Sequence, residues 1–313
     1  MNFKKPLFWN LKEPNFFSYL LIPFTIPFMI NNFLLKIKKK NKFSKIKSIC
    51  IGNIYLGGTG KTPLTIKLYE IIKKMDFNVI TAKKFYPNQV DEQTLLKNKT
   101  QTIITKKRLD AINKAINNAK DVIIFDDGLQ ERNIDYDLKI VCFKKNNWNG
   151  NVKLITSGPL REKVESLKNY DVVFLNGKNN SSVNIEETIL KINSKIRIFN
   201  SNYEIKNLDK LDKNSNYFIF SGIGDPSSFK EILIENNINV IKEKIFTDHY
   251  IYKKEDVKNI IEEAKKVNAK ILTTEKDFVK LSDDVTGEID YLKIELKIEE
   301  EQKFINFLND KLN

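Results

Sequence analysis

Short apolar runs alternate along this chain with segments in which apolar residues recur every three or four positions. Runs of the first kind are typical of buried strands, and segments of the second kind are typical of helices with one apolar face. After residue 45 the apolar runs lie at 47–52, 79–82, 122–125, 138–143 and 171–175, and the helical segments lie at 62–75 and 108–119. Because strands that alternate with helices form parallel sheets covered on both faces, this order predicts an α/β fold.

A second block of the same kind begins near residue 217. Its apolar runs lie at 217–221, 240–245 and 270–273, and its helical segments lie at 227–235, 255–267 and 304–312. The stretch 176–216 between the two blocks is polar and rich in Asn, Lys and Ser, as connections between domains are. The pattern therefore predicts two α/β domains, at 45–200 and 201–313.

Residues 1–44 have a different character. The segment 16–35 is apolar but is interrupted by Pro23, Pro27, Asn31 and Asn32, and lysines follow it at once. An unbroken membrane-spanning helix needs about 20 apolar residues, whereas an apolar segment with a basic flank is typical of a helix lying in the membrane surface. We therefore expect residues 1–44 to be a membrane anchor. The alternative is a helix of the protein core with a solvated basic tail.

The charge of the chain is concentrated in this N-terminal segment. Of the formal net charge of +13, residues 1–50 carry +9, so the other 263 residues carry only +4. A basic groove for nucleic acid is therefore not expected. The two cysteines, Cys50 and Cys142, lie in apolar runs and are too few for a disulfide framework, which favours a reducing compartment.

A glycine-rich segment follows the first apolar run. Its residues are Gly57, Gly58, Thr59, Gly60, Lys61 and Thr62, and it lies between a predicted strand and a predicted helix, where a phosphate-binding loop belongs. In such a loop the backbone N–H groups surround the phosphates, Lys61 reaches the β- and γ-phosphates of ATP, and Thr62 binds Mg²⁺. The spacing differs from the strict G-x-x-x-x-G-K-[ST] pattern, which requires a glycine where this chain has Tyr55.

Two acidic residues follow the buried run at 122–125. Ligands of open parallel sheets bind at the carboxyl ends of the strands, and Asp126 and Asp127 stand at such an end. Carboxylates there hold Mg²⁺ directly or through water. Together with the loop, they indicate a phosphotransferase that uses ATP and Mg²⁺, and the lack of an Asn-Lys-x-Asp element disfavours a GTPase.

Further short motifs accompany the loop. In order, they are Gly52-Asn53-Ile54 leading into GGTGKTP at 57–63, Asp91-Glu92, Arg108, DDGLQ at 126–130 with Arg132, GPLRE at 158–162, GIGDP at 222–226 with Phe229, DHY at 248–250, and TEKDFVKL at 274–281. In this order and spacing they resemble the tetraacyldisaccharide 4′-kinases of lipid A synthesis. The scarce residue types fall in the same motifs, because they contain three of the four arginines and the only histidine.

The resemblance implies a fold, a reaction and a location. It implies two α/β/α sandwich domains, the first a P-loop NTPase-like parallel sheet, with the second domain closing over the active-site cleft. It implies transfer of the γ-phosphate of ATP to the 4′-hydroxyl of a tetraacyldisaccharide 1-phosphate, which gives lipid IVA. The enzyme is then expected at the bacterial inner membrane, with its catalytic domains facing the cytoplasm, and we expect a monomer.

The resemblance also implies roles for single residues. Asp91 is implied as the base for the sugar hydroxyl, paired with His249, and we expect domain closure to assemble the pair because the two residues come from different blocks. The residues leave two choices open: Arg161, like Arg108, either stabilises the transferring group in catalysis or holds the 1-phosphate of the substrate, and Glu162 either orients Arg161 or is a further metal ligand. Arg108, Gln130 and Arg132 are expected to bind substrate, since an arginine binds phosphate with two parallel hydrogen bonds.

The sequence leaves two other functions open. One is a P-loop kinase for another membrane lipid or glycolipid, and the other is a membrane-associated, nucleotide-dependent switch or ATPase without a small-molecule acceptor. The chain also differs from the family pattern at one place. Lys83-Lys84-Phe85-Tyr86 stands where family members carry an Arg-Gly-Tyr-type element, and Gln93 stands where a proline follows the acidic pair.

Overall fold

The computed structural model describes residues 6–11, 13–37, 39–131, 133–146, 148–177, 184–282 and 285–313. Its strands are β1 (Lys47–Gly52), β2 (Val79–Lys84), β3 (Thr102–Thr105), β4 (Val122–Asp126), β5 (Leu138–Lys144), β6 (Val172–Asn176), β7 (Arg197–Ile205), β8 (Asn216–Ser221), β9 (Asn239–Ile245), β10 (Lys270–Thr274), β11 (Ile289–Leu292) and β12 (Ile294–Ile298). Its α-helices are α1 (Phe16–Leu20), α2 (Ile22–Ile37), α3 (Lys61–Lys74), α4 (Val90–Lys99), α5 (Arg108–Asn117), α6 (Ile185–Ile192), α7 (Pro226–Glu235), α8 (Lys254–Lys266), α9 (Glu275–Phe278) and α10 (Glu301–Leu312).

The chain divides into two compact units. We call them the larger unit, which contains Lys5–Phe85, Lys99–Asn202 and Leu296–Asn313, and the smaller unit, which contains Tyr86–Asn98 and Tyr203–Glu295. The prediction of domains at 45–200 and 201–313 requires each domain to be one continuous stretch of the chain. Neither unit is continuous in sequence. Helix α4 belongs mainly to the smaller unit although it lies between β2 and β3, and α10 belongs to the larger unit although it ends the chain.

The larger unit is built on a parallel sheet. In the described part of the chain the strand order is β12-β7-β6-β5-β1-β4-β2-β3, and every pairing from β7 to β3 is parallel. The central strands are continuous apolar runs because both of their faces are buried: Ile49, Phe125, Phe143 and Phe174 have no exposed surface. The predicted α/β fold with a P-loop-type parallel sheet is confirmed.

The smaller unit contains a second parallel sheet, with the order β11-β10-β8-β9. Leu233 of α7 packs on one side of this sheet with Tyr217 and Ile219 of β8. Ile260 of α8 packs on the other side with Phe218 and Phe220. Alternate residues of β8 therefore serve two cores, which is why the strand is a continuous apolar run.

The polar stretch 176–216, predicted as a connection, contains α6 and β7. The strand β7 has no continuous apolar run to reveal it, because the polar residues at 200–202 follow directly after Ile198 and Phe199. The ring of Phe199 packs against Phe174 of β6 and Phe304 of α10, with ring centroids 5.7 and 4.9 Å apart. Tertiary packing by α10, far away in sequence, therefore stabilises this strand.

The apolar N-terminal segment forms α1 and α2. Pro27 lies inside α2. Within the described residues, none of the helices is both long and apolar enough to cross a membrane.

Candidate active site

The glycine-rich segment forms the turn between β1 and α3. Gly57 and Gly60 have φ angles of 138° and 87°, a left-handed conformation that a residue with a Cβ adopts only with strain. The side-chain amide of Asn53 donates to the carbonyl oxygens of Tyr55 at 2.6 Å and Gly57 at 3.2 Å, which fixes the start of the turn. The turn ends at Gly60, the N-cap of α3, so it leads directly into a helix N-terminus, where a phosphate site is expected.

A hydrogen bond between β6 and the turn fixes the other end of the glycine-rich segment. The amide of Asn176 donates to the carbonyl oxygen of Thr59 at 2.6 Å. The hydroxyl of Thr59 is buried and has no hydrogen-bond partner among the described residues. An unpartnered buried hydroxyl is costly unless a ligand binds it.

Asp126 at the end of β4 lies beside the start of α3. The Thr62 hydroxyl donates to Asp126 Oδ2 at 2.9 Å. Lys83 at the end of β2 also contacts this oxygen, with Nζ 2.7 Å away, and both side chains of this ion pair are buried. Sequence reasoning missed Lys83, although its position at the carboxyl end of a buried strand next to β4 was a usable signal.

Asp127 and the residues after it form a second polar group in the larger unit. Arg161 Nη1 donates to Asp127 Oδ1 at 3.3 Å and to Gln130 Oε1 at 3.1 Å. Gln130 in turn donates to the carbonyl oxygen of Asn53 at 2.8 Å, next to the glycine-rich turn. The Arg108 guanidinium donates to the carboxylate of Glu131 and to the carbonyl oxygen of Asp127. Asp127, Gln130, Arg108 and Arg161 are therefore brought together.

Two other residues, Glu162 and Arg132, were also predicted for the site. Glu162 is buried, and its Oε1 accepts a hydrogen bond from the Tyr170 hydroxyl at 3.1 Å. Arg132 lies outside the described residues. The structure therefore gives Glu162 a neighbour that the sequence did not indicate.

Asp91 and His249 are in direct contact in the smaller unit. His249 Nδ1 lies 2.9 Å from both carboxylate oxygens of Asp91, which is buried in the first turn of α4. The backbone N–H of His249 donates to the carbonyl oxygen of Gly222, and its φ of 59° is in the left-handed region. The expectation that domain closure assembles the pair is wrong, because Tyr86–Asn98 belongs to the same unit as His249.

Lys276 of α9 joins three carboxylates around this pair. Its Nζ lies 3.2 Å from Glu92 Oε1, 3.3 Å from Asp248 Oδ1 and 3.5 Å from Asp91 Oδ2. Burial lowers the pKa of Lys276, but the charges of Glu92, Asp248 and Asp91 outweigh it and raise that pKa. The lysine therefore stays charged. The sequence contained it in the TEKDFVKL motif, but no spacing rule connects it to Asp91.

The pKa of Asp91 is set by opposing causes. Burial raises it, but the hydrogen bond from His249 and the charge of Lys276 outweigh burial, so the pKa lies below its ordinary value. Asp91 is therefore an ionised carboxylate, held in place by an imidazole. Such a group can accept a proton from a hydroxyl, and the imidazole orients it.

Asp277 fixes the frame of this cluster. Its carboxylate accepts hydrogen bonds from the Gly222 N–H at 3.0 Å, the Thr274 hydroxyl at 2.8 Å and the Tyr252 hydroxyl at 3.0 Å, and it pairs with Lys280 at 2.6 Å. Burial, followed by the charge of Asp277, raises the pKa of Tyr252, so this hydroxyl stays a donor. Because Gly222 also holds the backbone of His249, Asp277 connects α9 with the loop that carries the histidine.

Comparisons with known proteins give one consistent result. A family model described as tetraacyldisaccharide-1-P 4′-kinase matches residues 19–313. The chain is 49% identical over 310 residues to the tetraacyldisaccharide 4′-kinase of Pelagibacter ubique, covering 98% of each chain, and 33% identical over 295 residues to that of Rickettsia bellii, covering 89% of each. Its fold is similar to that of LpxK from Aquifex aeolicus in complex with ATP, with a TM-score of 0.69, 23% identity, and 95% and 99% of the two chains covered.

Proposed function

The chain belongs to the tetraacyldisaccharide-1-P 4′-kinase family, and from this premise we propose how its residues carry out the transfer. It is an ATP-dependent kinase of lipid A biosynthesis. The reaction moves the γ-phosphate of ATP to the 4′-hydroxyl of a tetraacylated diglucosamine 1-phosphate and gives lipid IVA. The observation that carries the mechanism is a buried carboxylate, Asp91, with both oxygens 2.9 Å from His249 Nδ1.

The glycine-rich turn binds the triphosphate of ATP in this proposal. Its backbone N–H groups and the N-terminus of α3 stabilise the negative charge, and Lys61 contacts the β- and γ-phosphates. Two observations support the assignment: Gly57 and Gly60 adopt left-handed conformations and carry no Cβ that would crowd a phosphate, and the Thr59 hydroxyl is a buried donor with no partner among the described residues.

Thr62 and Asp126 are the residues that would hold Mg²⁺. Magnesium usually binds one or two protein oxygens and completes its shell with water and phosphate oxygens, and the contact of 2.9 Å between Thr62 Oγ1 and Asp126 Oδ2 fits such a small donor set. When bound, the ion neutralises charge on the β- and γ-phosphate oxygens. Asp127 and Glu162 are proposed as further oxygen donors near the ion.

Asp91 accepts the proton of the 4′-hydroxyl as the oxygen attacks the γ-phosphate. His249 holds both carboxylate oxygens, so it orients the base, and Lys276 keeps the base ionised before the reaction. Arg161 stabilises the charge of the transferring phosphoryl group, and Arg108 and Gln130 bind phosphate oxygens of the substrates. Arg132 is proposed to bind substrate on the resemblance of its motif alone.

We also propose that α1 and α2 bind the membrane surface in which the acceptor lipid resides. Large apolar side chains on these helices are exposed, among them Phe16 at 74%, Phe24 at 67% and Phe33 at 63%, and lysines follow them. Apolar side chains that enter lipid and lysines that meet anionic head groups act together.

The proposed location of the protein is the cytoplasmic side of the bacterial inner membrane, where ATP is present. We further propose a monomer as the active form, a form that needs no residue from a second chain in the proposed site.

Phosphate transfer to chemically different acceptors tests the proposal. The full-length protein is incubated with ATP labelled in the γ-phosphate and with tetraacyldisaccharide 1-phosphate, phosphatidylglycerol, diacylglycerol or no acceptor. We expect label in the disaccharide lipid alone, with Mg²⁺ required. Label in another lipid would identify a different lipid kinase, and phosphate release that no acceptor changes would identify an ATPase or switch.

A further inference from the structure

Three polar residues of helices α1 and α2 lie on the side that faces the protein. Ser18 and Thr25 are buried and Asn32 is half-buried, and these three residues are spaced seven apart. A spacing of seven is close to two turns of a helix, so it keeps side chains on one side. Most of the apolar residues between them are exposed, whereas Leu21 and Phe28 are half-buried. The exposed side of the helices is thus mainly apolar, the reverse of a helix that covers a protein core.

Hydrogen bonds connect this polar side to the segment Asn151–Arg161 of the same unit. The Asn151 amide donates to the Ser18 hydroxyl at 2.9 Å, and the Thr156 hydroxyl donates to the carbonyl oxygen of Leu21 at 3.3 Å. The last of these bonds runs from the Asn32 side-chain amide to the carbonyl oxygen of Arg161, at 3.0 Å. The segment is therefore attached to the helices at both of its ends.

Arg161 connects this bond with the phosphate site. Its backbone N–H donates to the carbonyl oxygen of Ile54 at 2.7 Å, in the chain that leads from β1 to the glycine-rich turn. Its guanidinium contacts Asp127 and Gln130. A single hydrogen bond thus connects the apolar helix α2 to Arg161, the residue that faces the proposed phosphate site.

We propose that Asn32 is a positioning residue for Arg161, so that the helix that contacts lipid also holds the arginine that faces the transferring phosphate. The inference rests on the proposed functions of Arg161 and of the anchor. Asparagine is an unfavourable residue in an apolar helix, and the partly buried hydrogen bond from its amide to the Arg161 carbonyl oxygen compensates for it. Lipid contact along α2 then restrains the Arg161 backbone, which favours transfer at the membrane, where the acceptor lies.

Neighbouring asparagines provide a matched pair of variants. Asn32→Leu removes the donor while keeping the number and branching of the side-chain heavy atoms, and Asn32→Asp keeps the size but replaces the donating amide with a carboxylate. Asn31→Leu makes the same change at the adjacent residue, whose side chain is exposed. We expect both Asn32 variants to lower kcat about fivefold with the KM for ATP unchanged, because one hydrogen bond is lost. Asn31→Leu should match the wild type.

A double-mutant cycle tests whether Asn32 acts through Arg161. In an Arg161→Ala background, Asn32→Leu should cause no further loss of kcat, because residues that act through one contact are not additive. The same fivefold loss in both backgrounds, or equal effects of the Asn31 and Asn32 variants, would overturn the proposal.

Hydrogen exchange of the peptide at 154–161 provides a measurement that does not depend on activity. Amides of this segment should exchange about tenfold faster in Asn32→Leu than in the wild type or Asn31→Leu, while amides of the smaller unit stay unchanged. Anionic vesicles of phosphatidylglycerol and phosphatidylethanolamine should slow exchange of the peptide in the wild type but not in Asn32→Leu, with equal vesicle binding by both. Unchanged exchange in Asn32→Leu would refute the positioning role. Failure of the wild type to bind vesicles would instead refute the proposed anchor. Full activity of Arg161→Ala would refute the proposed function of Arg161.

Discussion

His249 Nδ1 lies 2.9 Å from both carboxylate oxygens of Asp91, although 158 residues separate them in sequence. The contact lies within the smaller unit, so the imidazole orients the carboxylate before substrate binds. A preassembled pair spends no binding energy on assembly during the reaction. The mechanism therefore makes specific predictions about this pair and its neighbours.

Asp91→Asn should slow phosphate transfer by about 10²- to 10⁴-fold, because the amide cannot accept the proton of the hydroxyl. ATP binding should remain, because the residues proposed to bind ATP are elsewhere in sequence. Transfer is measured with labelled ATP and binding by calorimetry. Asp209→Asn, a change of an exposed acid in the smaller unit, is the control. Equal turnover of the Asp91 and Asp209 variants would rule out Asp91 as the base.

Lys276→Met should move the acidic limb of the pH profile of kcat/KM to higher pH. The lysine lowers the pKa of Asp91. The groups that remain around that carboxylate are His249, Glu92 and Lys280, whose Nζ lies 3.9 Å from Asp91 Oδ2. Without the cation, Asp91 protonates at a higher pH and loses its function as a base. Lys276→Arg should keep the wild-type profile, whereas an unshifted profile in Lys276→Met would contradict the assignment.

Asp91 and Lys276 also affect the free energy of unfolding in acid. The pKa of Asp91 is below its ordinary value of 3.8 in the folded protein, so its ionised form stabilises the fold above that pH, and the stabilisation disappears as pH falls through the lowered pKa. In Lys276→Met, part of this contribution should be absent at neutral pH already. Urea unfolding at neutral pH and near pH 3 measures the difference.

Lys83→Met should lower the free energy of unfolding by about 3–5 kcal/mol, because it leaves the buried carboxylate of Asp126 without a cation. A double variant, Lys83→Met with Asp126→Asn, should recover most of the loss, since no buried charge is then unpaired. Chemical denaturation without nucleotide gives the values. If the single and double variants are equally stable, the ion pair does not support the fold.

Lys61→Ala should reduce kcat by about 10²- to 10³-fold, because it removes a fixed positive charge from the phosphate site. Lys67→Ala is a suitable control, since Lys67 belongs to the same helix but pairs with Glu301 at 2.8 Å. Labelled-ATP assays compare the two variants. Near-normal turnover of Lys61→Ala would mean that the glycine-rich turn does not bind the triphosphate.

Phe24→Ser combined with Phe33→Ser should weaken vesicle binding at least about 100-fold, since each buried Phe side chain contributes about 1.5–3 kcal/mol. Co-sedimentation with anionic vesicles measures the change. Val152→Ser removes an exposed apolar residue outside α1 and α2 and should leave binding unchanged. Equal loss in this control would show that α1 and α2 are not the membrane-binding surface.

The central strands and the glycine-rich turn were predictable, because a strand buried on both faces is a continuous apolar run and the turn requires glycine. Helix α4 was not, since its few apolar residues include only Leu95 and Leu96 as buried ones. Its place in the smaller unit depends on contacts across more than a hundred residues. Lys276 and Lys83 were missed for a related reason: burial gives each lysine its function, and no local pattern in a lysine-rich chain reports burial.

Helix α10 has a consequence for how the protein is made. Phe304 covers Phe174 and Phe199 of the larger unit, and this helix is synthesised after the whole of Tyr203–Glu295 in the smaller unit. The larger unit is consequently incomplete while that part of the smaller unit is synthesised, and its aromatic patch stays open until α10 emerges. A chaperone or an early fold of the N-terminal part would have to protect that surface, because domains that finish late are prone to aggregation during synthesis.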